Sequence, residues 1–188
     1  MNAISRLKLN VAIALLLGAR LSASAAALLT SDGWIPADAA VVKLEHYGPA
    51  GQRVLLTDMR AVGEDFHLGR MLSRHTGAAA YILSRHAAEL LLRQTCFDLP
   101  VDHLLFNPNN SKLFAALLPR QLVPAIARQE EFVGEKSDIE GTRLGLRAFG
   151  WTYLKRELVR FGYDLKLLPR QIKALLGGAK FVAMRTSD

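Results

Sequence analysis

Cysteine is almost missing from this 188-residue chain, and the one thiol, Cys96, excludes an internal disulfide framework and any multi-cysteine zinc site. The five histidines, His46, His67, His75, His86 and His103, show neither HExxH nor HxxxH spacing, so no metalloprotease signature is present. There is no GxGxxG, no GxxxxGK[ST] and no GxSxG; the usual marks of dinucleotide, P-loop and α/β-hydrolase sites are lacking. Acidic residues are missing from the start of the chain, and none precedes Asp32. What the chain does have is apolar residues, 51% against 22% charged, with a mean hydropathy of +0.15. That balance excludes intrinsic disorder and allows one domain with a real core, or a small domain plus an extension.

The formal charge of +7 is unevenly placed. Residues 1–140 hold 14 basic and 14 acidic side chains, whereas residues 141–188 hold 10 basic and 3 acidic ones. The whole excess therefore belongs to the C-terminal segment.

At the other end, Arg6 and Lys8 precede the apolar run Val11 to Ala19, and Ala23-Ser24-Ala25 supplies an A-x-A site. This is the pattern of a secretory leader cleaved near Ala25. The same run also suits a strand at the centre of a parallel sheet. It is too short to span a bilayer as a helix, and Arg20 interrupts it.

Between the two ends, short strands alternate with short helices, which predicts an α/β fold. Residues 21–30 read as a helix, Val41–Leu44 as a buried strand, Arg53–Thr57 as a second strand and Phe66–Leu68 as a third. Gly77 to Ala80 leads into the strand Tyr81-Ile82-Leu83, and Ser84 stands at the N-cap of a helix over 85–95. Val41–Leu44 and Ala80–Leu83 are expected to be neighbouring buried strands.

Three places could carry chemistry. Asp102, after Pro100-Val101, could act as a general base if partial burial raised its pKa, or could cap a helix at 103–106. Arg85 could face a phosphate at its helix N-terminus. Ser137-Asp138-Ile139-Glu140 could bind sugar or nucleotide hydroxyls, or be a solvated loop.

Taken in order, Val41-Val42-Lys43-Leu44-Glu45, then Gly77 to Arg85, then Pro100-Val101-Asp102, then Val123-Pro124 with Gln129, then Ser137-Asp138-Ile139 resemble glycosyltransferase family 25. This is the bacterial lipopolysaccharide and lipooligosaccharide sugar-transferase family, and the resemblance covers roughly residues 20–140. It implies a glycosyltransferase A-type α/β domain, a nucleotide-sugar donor and a glycolipid saccharide acceptor. Asp102 matches the family's Pro-Val-Asp aspartate, a base or acceptor contact; Ser84, Arg85, Gln129 and Asp138 match pocket-side, substrate-binding positions. The resemblance also implies work at the cytoplasmic face of the inner membrane, with secretion as the alternative that the leader pattern keeps open.

One departure bears on activity. Family members carry about a hundred further residues ahead of this region, of the order of a small domain. They end in a strand closed by Glu-Asp-Asp, which serves a divalent metal (Mn or Mg) and the donor diphosphate. Here the corresponding positions are Leu16, Leu17 and Gly18, which offer a metal no oxygen side chain. The expectation is an incomplete domain that does not bind the metal and is poorly active alone, with residues 1–19 a leader-like or relic-strand segment. A non-catalytic saccharide-binding or scaffold protein on the same fold is the alternative.

Beyond residue 140, Trp151, Leu154, Leu158, Phe161, Leu165, Leu168, Ile172 and Leu175 form one helical stripe, and the basic residues fall mainly off it. Gly162 and Pro169 predict two helices with a break near Leu168-Pro169. Such a basic amphipathic helical tail over 141–188 suits an anionic membrane surface, or else packs its stripe on the domain. No nucleic-acid recognition motif accompanies the charge, so nucleic acid is not an expected partner.

Overall fold

The computed structural model describes residues 11–15, 19–48, 51–96, 98–129, 162, 165 and 167–187. In chain order these form β1 (Val11–Leu15), β2 (Ala19–Leu21), α1 (Ala25–Thr30), β3 (Val41–Lys43), β4 (Glu45–His46), β5 (Arg53–Val62) and β6 (Phe66–Met71). There follow β7 (Ala80–Ser84), α2 (Arg85–Leu92), α3 (Val101–Phe106), α4 (Lys112–Leu117), β8 (Arg120–Val123), β9 (Ala127–Gln129) and β10 (Lys180–Ala183). Residues 167–176 are also helical.

The class is mixed α/β, as the alternation predicts. Seven strands make one sheet in the order β1-β7-β3-β8-β6-β5-β10, and three make a second in the order β2-β9-β4. Only β3 with β8 and β4 with β9 run parallel among these pairs; the others are antiparallel. The expected neighbours are paired, with Val41 opposite Leu83 and Val42 opposite Ile82.

Strand periodicity divides the core. Val42, Leu44, Ile82, Leu68 and Leu122 pack on one face with Trp34 and Leu28, which tie down the segment around α1. Val41, Val54, Leu56 and Met71 pack on the other, under Leu105, Phe106, Phe114 and Leu117 of α3 and α4. At Leu44 the chain passes from one sheet to the other: its N–H donates to Ala80, and its carbonyl accepts from both Ile126 and Ala127. Residues on either side of this crossing are drawn together from β3, β4 and β8.

Several expectations change. The apolar run at Val11–Leu15 is a strand, but it lies at the sheet edge, antiparallel to β7, rather than at the centre of a parallel sheet. Among the described residues β1 pairs with β7 alone, so it terminates the ladder. Ala25, at the candidate cleavage site, is buried at the start of α1. Cleavage there would remove β1 and β2 from their sheets. The helix expected over 21–30 begins only at Ala25, because Ala19–Leu21 pairs with β9. The helix expected over 85–95 stops at Leu92.

The C-terminal segment is not wholly a helical tail. Lys180–Ala183 pairs with β5, and Ala179 and Met184 on either side of it are buried. Helical geometry continues through Pro169 from 167 to 176, so the expected break at Leu168-Pro169 is not there. The earlier part of the stripe, Trp151 to Phe161, lies outside the described residues. Among the described residues, no helix is long and apolar enough to cross a membrane.

Ser84 behaves as the sequence predicts. Its backbone is extended and its hydroxyl accepts from the Ala87 N–H at 3.1 Å, satisfying one donor at the start of α2. Ser84→Ala is expected to lower stability by about 1 kcal/mol, read from urea unfolding midpoints. Ser84→Gly should lose only a few tenths, since glycine is itself tolerated at this position.

Candidate functional site

Lys43 and Glu45 stand two residues apart, on the side of the sheet that α3 covers. Both are fully buried, and Lys43 Nζ lies 2.7 Å from Glu45 Oε1. Lys43 Nζ also donates to the carbonyls of Thr76, at 3.3 Å, and Gly77. It sits 4.6 Å from the centre of the Phe106 ring, close enough for a cation–π contact. Burial pulls the Lys43 pKa down from 10.5 to about 8, against the raising influence of Glu45 and then Asp102.

Gly77 is the hinge of the cluster. Its φ is +96°, and a Cβ there would come within 2.6 Å of Tyr47 Cβ and 2.8 Å of Glu45 Oε1. Only glycine fits both the backbone conformation and the space. The Gly77 N–H donates to Asp102 Oδ2 at 3.3 Å. Thus Lys43 and Asp102 hold opposite sides of one peptide segment, its carbonyl and its amide.

A second chain of contacts continues inward. His46 Nδ1 and His75 Nε2 are 3.3 Å apart, and His75 Nδ1 donates to Gln121 Oε1 at 2.9 Å. The Gln121 amide donates to the carbonyls of Lys43, Glu45 and Leu122, which fixes its orientation. Burial is the main cause that lowers His75 from 6.5 to about 3, with the Lys43 charge next. Among the described residues, nothing donates a hydrogen bond to Glu45 Oε2, which is also buried. This is a satisfied polar network with a single open acceptor, set in an otherwise apolar layer.

The sequence-derived candidates are placed unevenly around it. Asp102 belongs to the network, but it does not cap a helix at 103–106. The helix starts at Val101 with Pro100 at its cap, and Asp102 lies in its first turn, half-buried. An acid there suits the positive end of the helix. Ser84 and Arg85 lie at the far end of β7 from Gly77; the Ser84 hydroxyl is committed to its cap, and Arg85 is exposed. Gln129 ends β9 opposite Ala19, one residue beyond Arg128, the partner of His46. Asp138 lies outside the described residues.

Sequence reasoning missed Lys43, Glu45, His75 and Gln121 as site residues. The available signal was a Lys and a Glu two apart in an apolar strand, which the period of two places on one face.

A cleft of about 380 Å³ lies elsewhere, between β6, α4 and the 167–176 helix, and none of the candidate residues lines it. Its cations are Arg70, Lys112 and Arg170, over a floor that includes Met71, Phe114 and Leu118.

A divalent metal is not matched by these donors. Among the described residues, no three His, Cys, Asp or Glu side chains stand together as ligands, and Glu45 Oε1 is held by Lys43. Leu16, Leu17 and Gly18 likewise offer a metal no oxygen side chain. Compared with protein-family models and with curated proteins, the chain matches none.

Proposed function

We propose that this chain is a glycosyltransferase family 25-like protein, built on a glycosyltransferase A-type domain, that acts on the saccharide of an envelope glycolipid. The observation that supports the reading is the junction at Gly77. Three segments that carry the resemblance, around Lys43-Leu44-Glu45, Gly77 and Pro100-Val101-Asp102, meet there through hydrogen bonds. Segments far apart in sequence converge on one half-buried carboxylate.

In this reading Asp102 takes the proton of an acceptor hydroxyl. The freed oxygen attacks the anomeric carbon of the donor sugar, the bond from that carbon to the diphosphate breaks, and the nucleoside diphosphate leaves with the electron pair. Lys43 and Gly77 are positioning groups: they hold the peptide against which the carboxylate is oriented. Charge developing on the departing diphosphate finds no carboxylate-bound cation at Leu16, Leu17 and Gly18, so turnover is slow. That same composition favours a second reading, a saccharide-binding protein that catalyses nothing.

The two readings separate in a single-turnover assay with labelled nucleotide sugars and a lipooligosaccharide acceptor. Slow transfer is expected, and Asp102→Asn should reduce it about a hundredfold while leaving acceptor binding intact. Acceptor binding with no transfer would favour the non-catalytic reading. Transfer at an equal rate in Asp102→Asn would remove Asp102 from the chemistry.

A further inference from the structure

The 167–176 helix leaves much of its leucine stripe exposed. Leu167, Gln171 and Ala174 are its less exposed positions, and Leu167, Arg170 and Gln171 line the cleft against α4. On the adjoining face Leu168, Ile172 and Leu175, with Leu165 just ahead of them, are each between 41% and 49% exposed, and Leu176 is exposed further still. Phe181, on the adjoining edge strand β10, is 52% exposed. Of the two expectations for the apolar stripe, a membrane surface or packing on the domain, the exposure of these residues favours the first.

Charge decides what it is presented to. Residues 165–187 contain Lys166, Arg170, Lys173, Lys180 and Arg185 and no acidic side chain. Among the described residues, Arg170, Lys173 and Lys180 make no ion pair. A second copy of this chain would set these cations against themselves across a two-fold interface, which is repulsive. A bilayer with anionic headgroups offers both what the stripe and what its flank require: acyl surface for the leucines and phosphates for the cations.

We propose that the outward face of the 167–176 helix, with Phe181, docks this protein on an anionic lipid surface. The proposal goes beyond the sugar-transfer reading and does not depend on it. Because β10 belongs to the main sheet, the test uses point variants rather than removal of residues 141–188, which would take a strand from the fold.

The full chain is floated with phosphatidylcholine vesicles and with vesicles of equal parts phosphatidylcholine and phosphatidylglycerol. Binding is expected only to the anionic vesicles, and raising salt to 1 M, where the screening length is about 3 Å, should weaken it strongly. Arg170→Gln/Lys173→Gln/Lys180→Gln should weaken binding about a hundredfold, from roughly a factor of five for each charge near the surface. Leu168→Asn/Ile172→Asn should weaken it at least about tenfold with the charge unchanged. All five positions are exposed, so the melting temperature should stay close to that of the unaltered chain. Equal flotation with neutral vesicles, or variants that bind as the parent does, would overturn the proposal. A dimer that Leu168→Asn/Ile172→Asn converts to monomer, with vesicle binding unchanged, would assign the face to a second copy instead.

Discussion

Acidification from pH 6.5 to 3 is expected to remove roughly 4 kcal/mol of stability through His75 alone. The folded chain holds this ring neutral, with a pKa of about 3, because it is fully enclosed and faces the Lys43 ammonium. The unfolded chain takes up a proton near 6.5. Between those values the unfolded state binds more protons than the folded one, so stability rises with pH and is lost as pH falls. The informative window is pH 6.5 to 5, where unperturbed carboxylates stay largely ionised and His75 should contribute on the order of 1 kcal/mol per pH unit. Urea unfolding midpoints across that window provide the slope. His75→Gln cannot titrate, so its curve should be flatter by about that amount, even though the variant is less stable near neutrality. Parallel curves for the two proteins would mean that His75 is not held neutral by the fold.

Much of the fold that carries this network was legible. Val41–Leu44 and Ala80–Leu83 are short apolar runs bounded by turns, and such runs have few options other than central strands. Ser84 announced its helix because a hydroxyl at that place satisfies a donor the backbone cannot. The network itself was less legible, because it is made between distant segments. His75 lies 29 residues from His46 and 46 from Gln121, and no local pattern links positions so far apart. Lys43 and Glu45 could be placed on one face by spacing, but only the packing of α3 shows that the face is closed. At the C-terminus the opposite happened. A leucine stripe and a run of cations read as a tail of two helices, and the strand after Gly177-Gly178 was absorbed into it. The turn residues were there; Lys180-Phe181-Val182-Ala183 is simply too short to assert a period against the pattern before it.

Lys43→Met is expected to destabilise the chain by about 3–5 kcal/mol, because it leaves the Glu45 carboxylate buried without its counter-charge. Glu45 has little else to rely on: Oε1 is held by Lys43, and among the described residues Oε2 accepts nothing. Glu45→Gln should cost less at neutral pH. The ammonium it leaves behind keeps its bonds to the Thr76 and Gly77 carbonyls, and burial already pulls Lys43 towards about 8, so losing its proton is inexpensive. Replacing both charges, Lys43→Met with Glu45→Leu, should restore most of the loss, since two apolar side chains need no solvent and can pack with Phe106 and the strands around them. The double-mutant cycle therefore has a sign as well as a size: the pair should be worth far less to stability than either single substitution suggests. A double variant as unstable as Lys43→Met would show instead that the geometry around Gly77 depends on the charges themselves. In the stable double variant, sugar transfer separates the two roles of the pair. If Lys43 only holds the Gly77 peptide in place for Asp102, the rate should fall while acceptor binding persists, because the fold survives and the orientation of the carboxylate does not.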